Sequence, residues 1–176
     1  MMHTGINKFQ IYVGEIFTLK LEALVNLSEP TLLAPSLMAD QFFSHGGPEF
    51  RHAVEDLHGC ELGKAKITKG YNLLCNNVIH MSIPVYKGSD EDLQIISEAI
   101  TSTLDLAKEN GIKSLALPSQ NVKLNYDAEE RLAKTTLTTI EKWFEANPKY
   151  GIRVVVAFLA VAQYRTFESA WKELYE

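Results

Sequence analysis

The sequence predicts an α/β domain: a mixed, largely parallel sheet with helices on both faces. Three observations lead there. Strand-like and helix-like segments alternate through the second half of the chain, and such alternation calls for parallel strands joined by crossover helices. The stretch "GIRVVVAFLAV" is continuously apolar, as a strand covered on both faces must be. The 176 residues, 46% hydrophobic and 22% charged, suit one globular domain over 1–176 that buries its core without disulfides or metal.

The elements follow in order. "YVGEIFTL" and "EALVN" read as strands, being rich in aromatic and β-branched residues and bounded by turn residues. "PSLMADQFFSH" reads as a helix with Leu37, Met38 and Phe42 on one face, stopping at Gly46-Gly47-Pro48. "PEFRHAVEDLH" is a second short helix: Pro48 suits its first turn, and Phe50, Val54 and Leu57 recur at spacings of four and three. "AKITKGYNL" and "NNVIHMSIP" read as strands. "DEDLQIISEAITSTLDLAKENG" is the clearest helix, with acids in its first turn and Gly111 at the position of a C-terminal cap. "IKSLALP" is a short buried strand, "DAEERLAKTTLTTIEKWFEAN" a helix with Leu132, Thr136, Ile140 and Phe144 four apart, and "YRTFESAWKELYE" a closing helix.

Composition narrows the function. A formal net charge of -5 argues against a nucleic-acid partner, which would need a basic face. The longest apolar run, Val154 to Ala162, is too short to span a bilayer. "MMHTGINKFQ" lacks the pattern of a signal peptide, so the expected location is cytoplasmic. Cys60 and Cys75 match neither a zinc pattern nor a disulfide framework and are expected to be reduced, partly buried thiols. No phosphate-binding glycine motif, metalloprotease helix or nucleophile elbow is present. His45, His52 and His58 do not converge at metal-ligand spacing, and His80 is expected to be a hydrogen-bonded strand residue. No metal, cofactor or catalytic set is expected.

In sheets of this class ligands sit at the carboxyl ends of the strands. Those ends here are Asn26 and its loop, Ile83 to Gly88, Leu117 to Tyr126, and Ala160 to Tyr164. Glu15 either accepts hydrogen bonds from a ligand or caps a turn. Asn26 either bonds a ligand or ties two loops.

Three stretches resemble the macro domain family: "VGEIFTLKLEALVN" (Val13 to Asn26), "GCELGKAKITKGYNLLCNNVIHMSIPVY" (Gly59 to Tyr86) and "KENGIKSLALPS" (Lys108 to Ser119). The resemblance implies a three-layer α/β/α macro-like fold and a site for ADP-ribose or a related nucleotide metabolite. By its pattern Gly14, Glu15 and Ile16 meet the adenine, Asn26 matches the first asparagine of the ribose segment, and Phe158 or Leu159 flanks the base. Ser119, Asn121 and Lys123 lie in the second ligand loop.

The chain departs from the pattern at both phosphate loops. Glu29 stands where the second asparagine is expected; a carboxylate there accepts a ribose hydroxyl but repels a pyrophosphate. The glycine run falls on Ala34-Pro35-Ser36-Leu37, where proline has no N–H to donate. "SQNVKLNYD" (Ser119 to Asp127) holds no glycine, and Lys123 is left to replace amide contacts by charge. The expectation is a nucleotide-metabolite binder rather than an efficient hydrolase. The alternative is a domain that has lost phosphate binding and contacts a protein partner. A hydrolase of ADP-ribosyl linkages or ADP-ribose phosphate ranks third.

Overall fold

The computed structural model describes residues 6–120 and 122–176. The strands are β1 (Lys8–Val13), β2 (Ala23–Ser28), β3 (Ala65–Lys69), β4 (Asn77–Ser82), β5 (Ser114–Pro118) and β6 (Arg153–Phe158). The helices are α1 (Leu37–Gly46), α2 (Pro48–Glu55), α3 (Asp90–Glu109), α4 (Tyr126–Ala146) and α5 (Val161–Tyr175). The sheet order is β1-β6-β5-β2-β4-β3, with β3 antiparallel to β4 and every other pair parallel. This is the mixed, largely parallel sheet that the alternating pattern predicts.

Side-chain alternation divides the core in two. Val25, Ile79, Leu115 and Val154 point to one face, where they pack against α3, α4 and α5. Leu24, Val78, Ala116 and Val155 point to the other, where Phe42 of α1 and Phe50 and Val54 of α2 cover them. Both faces of the central strands are apolar because both are covered. Leu104 and Leu137 are fully buried in the first cluster; truncating either to alanine would cost about 2–5 kcal/mol.

The helix ends follow their sequence signals. The hydroxyls of Ser36 and Ser89 accept the N–H groups of Ala39 and Asp92, and Asn125 Oδ1 accepts that of Ala128. Gly111 takes φ 68° after α3, which lets the Ile112 N–H reach the Ala107 carbonyl.

Three predicted boundaries and one buried face need correction. The first strand stops at Val13, not Leu19: Gly14 takes φ 145°, and Ile16–Thr18 wind into a 3-10 turn that buries Ile16 and Phe17. The third strand ends at Lys69, because Gly70 and Tyr71 open a turn. The last strand ends at Phe158, and Val161 already begins α5. In α1, Phe42 and Ala39 make the buried face, while Leu37 is 70% exposed.

Both cysteines are buried free thiols, as expected. Burial pushes the Cys75 thiol up to about 11 and the Cys60 thiol up as well. Among the described residues no helix is long and apolar enough to cross a membrane, and no cluster of side chains could hold a metal.

Candidate functional site

Five parallel strands end on the same side of the sheet, and their exits enclose a cleft of about 520 Å³. The walls come from Gly14–Phe17 after β1, Leu27–Glu29 at the end of β2, and Ile83–Val85 after β4. Pro118–Gln120 after β5 and Ala157–Leu159 at the end of β6 complete them. The amino end of α1, with Ser36, Leu37 and Met38, forms the near side.

Two features hold the wall at the ends of β1 and β6 in place. The Gly14 N–H donates to the Phe158 carbonyl at 2.9 Å, which locks the end of β1 to the end of β6. Its φ of 145° is one that residues with side chains rarely adopt, and a Cβ there would lie 2.9 Å from the Tyr12 hydroxyl. Glu15 is exposed, and its carboxylate makes no capping hydrogen bond to the turn that follows. Ile16 is buried beside it. At the end of the neighbouring strand Phe158 is buried against Tyr164 and Phe167, whereas Leu159 is half exposed. Both line the cleft.

Asn26 sits elsewhere. It is 1% exposed, points toward the α1–α2 face, and does not line the cleft. Its Nδ2 lies 3.3 Å from His80 Nδ1, and His80 Nε2 lies 3.0 Å from the Thr68 hydroxyl. The Phe50 ring stacks on the imidazole with centroids 5.8 Å apart. Burial holds His80 down at about 4, so the ring is neutral at pH 7. The expectation of a hydrogen-bonded strand histidine holds. Asn26 Nδ2 is thus engaged within the sheet, while its Oδ1 is buried and has no hydrogen-bond partner among the described residues.

The Glu29 loop is closed on itself. Glu29 carboxylate oxygens accept the N–H groups of Thr31 at 2.9 Å and Ala34 at 3.1 Å, and also the Thr31 hydroxyl. These bonds hold its carboxyl below the ordinary range against the opposing effect of partial burial. The Leu33 N–H goes to the Thr31 hydroxyl and the Leu32 N–H to the Glu29 carbonyl. Leu32 takes a left-handed φ of 63°, a conformation that leucine keeps because its side chain is fully buried.

The second loop is also drawn inward. Ser119 lines the cleft, and its N–H is spent on the Ala157 carbonyl. The Val122 N–H donates to the Gln120 carbonyl and the Leu124 N–H to Glu129. Lys123 is exposed and outside the cleft wall, and Asn121 lies outside the described residues. Sequence reasoning missed Gln120. Its side chain bridges two strand exits, donating to the Pro84 carbonyl at 3.0 Å and accepting the Tyr86 N–H at 3.3 Å. A lone glutamine between Ser and Asn carries no local signal for that role.

Comparison with known proteins agrees with this fold. The family model described as "Macro domain" matches residues 25–146. "ADP-ribose glycohydrolase MACROD2" of Xenopus laevis is 28% identical over 170 residues, which cover 96% of this chain but 41% of that relative's length. The Oceanobacillus iheyensis macrodomain solved with ADP superposes with a TM-score of 0.86 at 21% identity, covering 98% of this chain and 94% of that one. The Trypanosoma brucei macrodomain in complex with ADP-ribose gives 0.82 at 22% identity, covering 93% and 68%.

Proposed function

This chain belongs to the macro domain family, and from that premise we propose that its strand-end cleft binds ADP-ribose or a related nucleotide metabolite. The observation that carries the reading is the wall at the ends of β1 and β6. There the Glu15 carboxylate, uncommitted to its own turn, lines the cleft beside the buried Ile16 and next to Phe158 and Leu159 at the end of the paired strand. An acceptor beside an apolar slot suits a heterocycle with an exocyclic amino group. Glu15 accepts from that amino group, Ile16 and Phe158 flank the ring, and Ser119 and Gln120 line the far end.

The domain acts as a binder. Hydrolysis in such a site would need amide donors that hold the substrate's phosphates while water attacks. The N–H groups of Thr31 to Ala34 are instead taken up within their own loop. A second reading, an interaction module for a protein partner, draws support from the apolar rim. Leu37 and Val85 are each 70% exposed at the mouth of the cleft.

Thermal shift and calorimetry with ADP-ribose and with adenosine test the first reading. At tens of times the dissociation constant, a bound ligand should add roughly 2 kcal/mol of stability. No shift with either compound at millimolar concentration would rule the reading out in favour of the interaction module.

A further inference from the structure

We infer that the cleft takes the uncharged nucleoside portion of such a ligand and disfavours the diphosphate, with Glu29 setting the preference. This rests on the reading of the cleft as a nucleotide-metabolite site. Three independent observations support it.

The first is charge. Among the described residues lining the cleft, the charged side chains are Glu15 and Glu29, both acidic. Lys123, the cation of the second loop, is not part of the wall. A pyrophosphate entering would meet two carboxylates and no cationic side chain, with only the amino end of α1 to offset them.

The second is donor supply. From Thr31 to Ala34 each backbone N–H already has an acceptor inside the loop, and Pro35 has none to give. Glu29 supplies the acceptor oxygens for two of these amides and for the Thr31 hydroxyl. Chemically the carboxylate is an internal anion, bound by donors of the kind that an anion-cradling loop offers a phosphate. A phosphate could use them only by displacing a covalently tethered competitor of the same sign.

The third is the character of the remaining surface. Beyond the two carboxylates the wall is uncharged: Leu27, Ile83, Pro118 and Ala157 suit a ring, and the neutral side chains of Ser28 and Gln41 suit a ribose.

Calorimetric titration of adenosine, ADP and ADP-ribose into the full chain and into Glu29→Gln tests this. The wild-type chain should bind adenosine at least as tightly as ADP or ADP-ribose. Glu29→Gln removes the charge while keeping one carbonyl acceptor. It should tighten ADP and ADP-ribose by about tenfold and leave adenosine within about twofold. An independent readout needs no variant: raising ionic strength from about 0.02 M to about 0.5 M should tighten ADP binding to the wild type, because screening relieves repulsion. ADP-ribose binding the wild type more than about tenfold tighter than adenosine, or ADP binding weakening with salt, would overturn the inference while leaving the nucleotide-site reading intact. Failure of all three ligands to bind would overturn that reading and the inference with it.

Discussion

Asn26 and His80 face each other across the β2–β4 pair, register partners whose side chains meet with Nδ2 3.3 Å from Nδ1. Thr68 of β3 stands at the other ring nitrogen, so one polar chain crosses three strands beneath the floor of the cleft. A neutral imidazole accepting from Asn26 carries its proton on Nε2 and donates to the threonine hydroxyl. Protonation would place a charge in the core with no carboxylate among these partners.

Acid should therefore destabilise the fold through His80. Its folded-state proton affinity, held at about 4, lies below the ordinary histidine value of 6.5. The unfolded chain then binds the proton first as pH falls. The contribution is complete above about pH 6.5 and is lost progressively as pH falls from about 6.5 toward 4. At about 1.4 kcal/mol per tenfold change in proton affinity, the loss is about 3 kcal/mol. Urea unfolding between pH 7.5 and 4.5 should show this slope in the wild type and a flatter one in His80→Gln.

Asn26→Ala should lower stability by about 1–3 kcal/mol, because it strips a buried histidine nitrogen of its partner. Denaturant titration measures it. Ligand affinity of the remaining folded protein should change little, since Asn26 does not line the cleft. A large loss of affinity at unchanged stability would instead put Asn26 in contact with the ligand.

Glu15→Ala should separate binding from folding in the opposite sense. The side chain is exposed and makes no capping bond, so the free energy of unfolding should change by less than about 0.5 kcal/mol. Loss of a charged acceptor for the ring amino group should weaken adenosine binding by about tenfold or more in calorimetry.

Gln120→Ala should loosen the cleft rather than empty it. The side chain holds Pro84 and Tyr86 of one strand exit to the exit of β5. Its removal should cost about 1–2 kcal/mol and speed amide hydrogen exchange at Tyr86, with little change at Val25 in the sheet centre.

Gly70→Ala should be among the most damaging single changes outside the cleft. A Cβ at Gly70 would lie 2.0 Å from the Cys75 carbonyl oxygen, inside a turn closed by the Gly70 N–H to the Asn76 carbonyl. Backbone has to move, and a loss of at least about 2 kcal/mol is expected in thermal unfolding.

Much of the architecture was legible from local pattern. The spacing of Leu93, Ile96, Ile100 and Ala107 marks α3, and all four are buried in one cluster. "VVVAF" reads as a strand covered on both faces, and Val154 and Val155 do point into opposite cores. The ends of elements were harder where a turn residue keeps company with apolar neighbours. Ile16 and Phe17 look like strand, but they bury themselves from a 3-10 turn because Gly14 redirects the chain.

The sequence by itself determined the order of strands and helices along the chain and the absence of glycine from residues 34–37 and 119–127. Those depend on periodicity and residue type, which are local. Only the tertiary structure decided that Asn26 turns under the sheet toward His80, that Glu29 folds back onto Thr31 and Ala34, and that Gln120 clamps two strand exits. Each depends on where a polar group finds its partner. For Asn26 and Gln120 that partner is 54 and 34 residues away along the chain. For Glu29 it is a nearby amide that becomes available only once Leu32 is buried in its left-handed turn. A polar atom leaving water must take the partner that the packed chain puts beside it, and residue type alone does not say which that is.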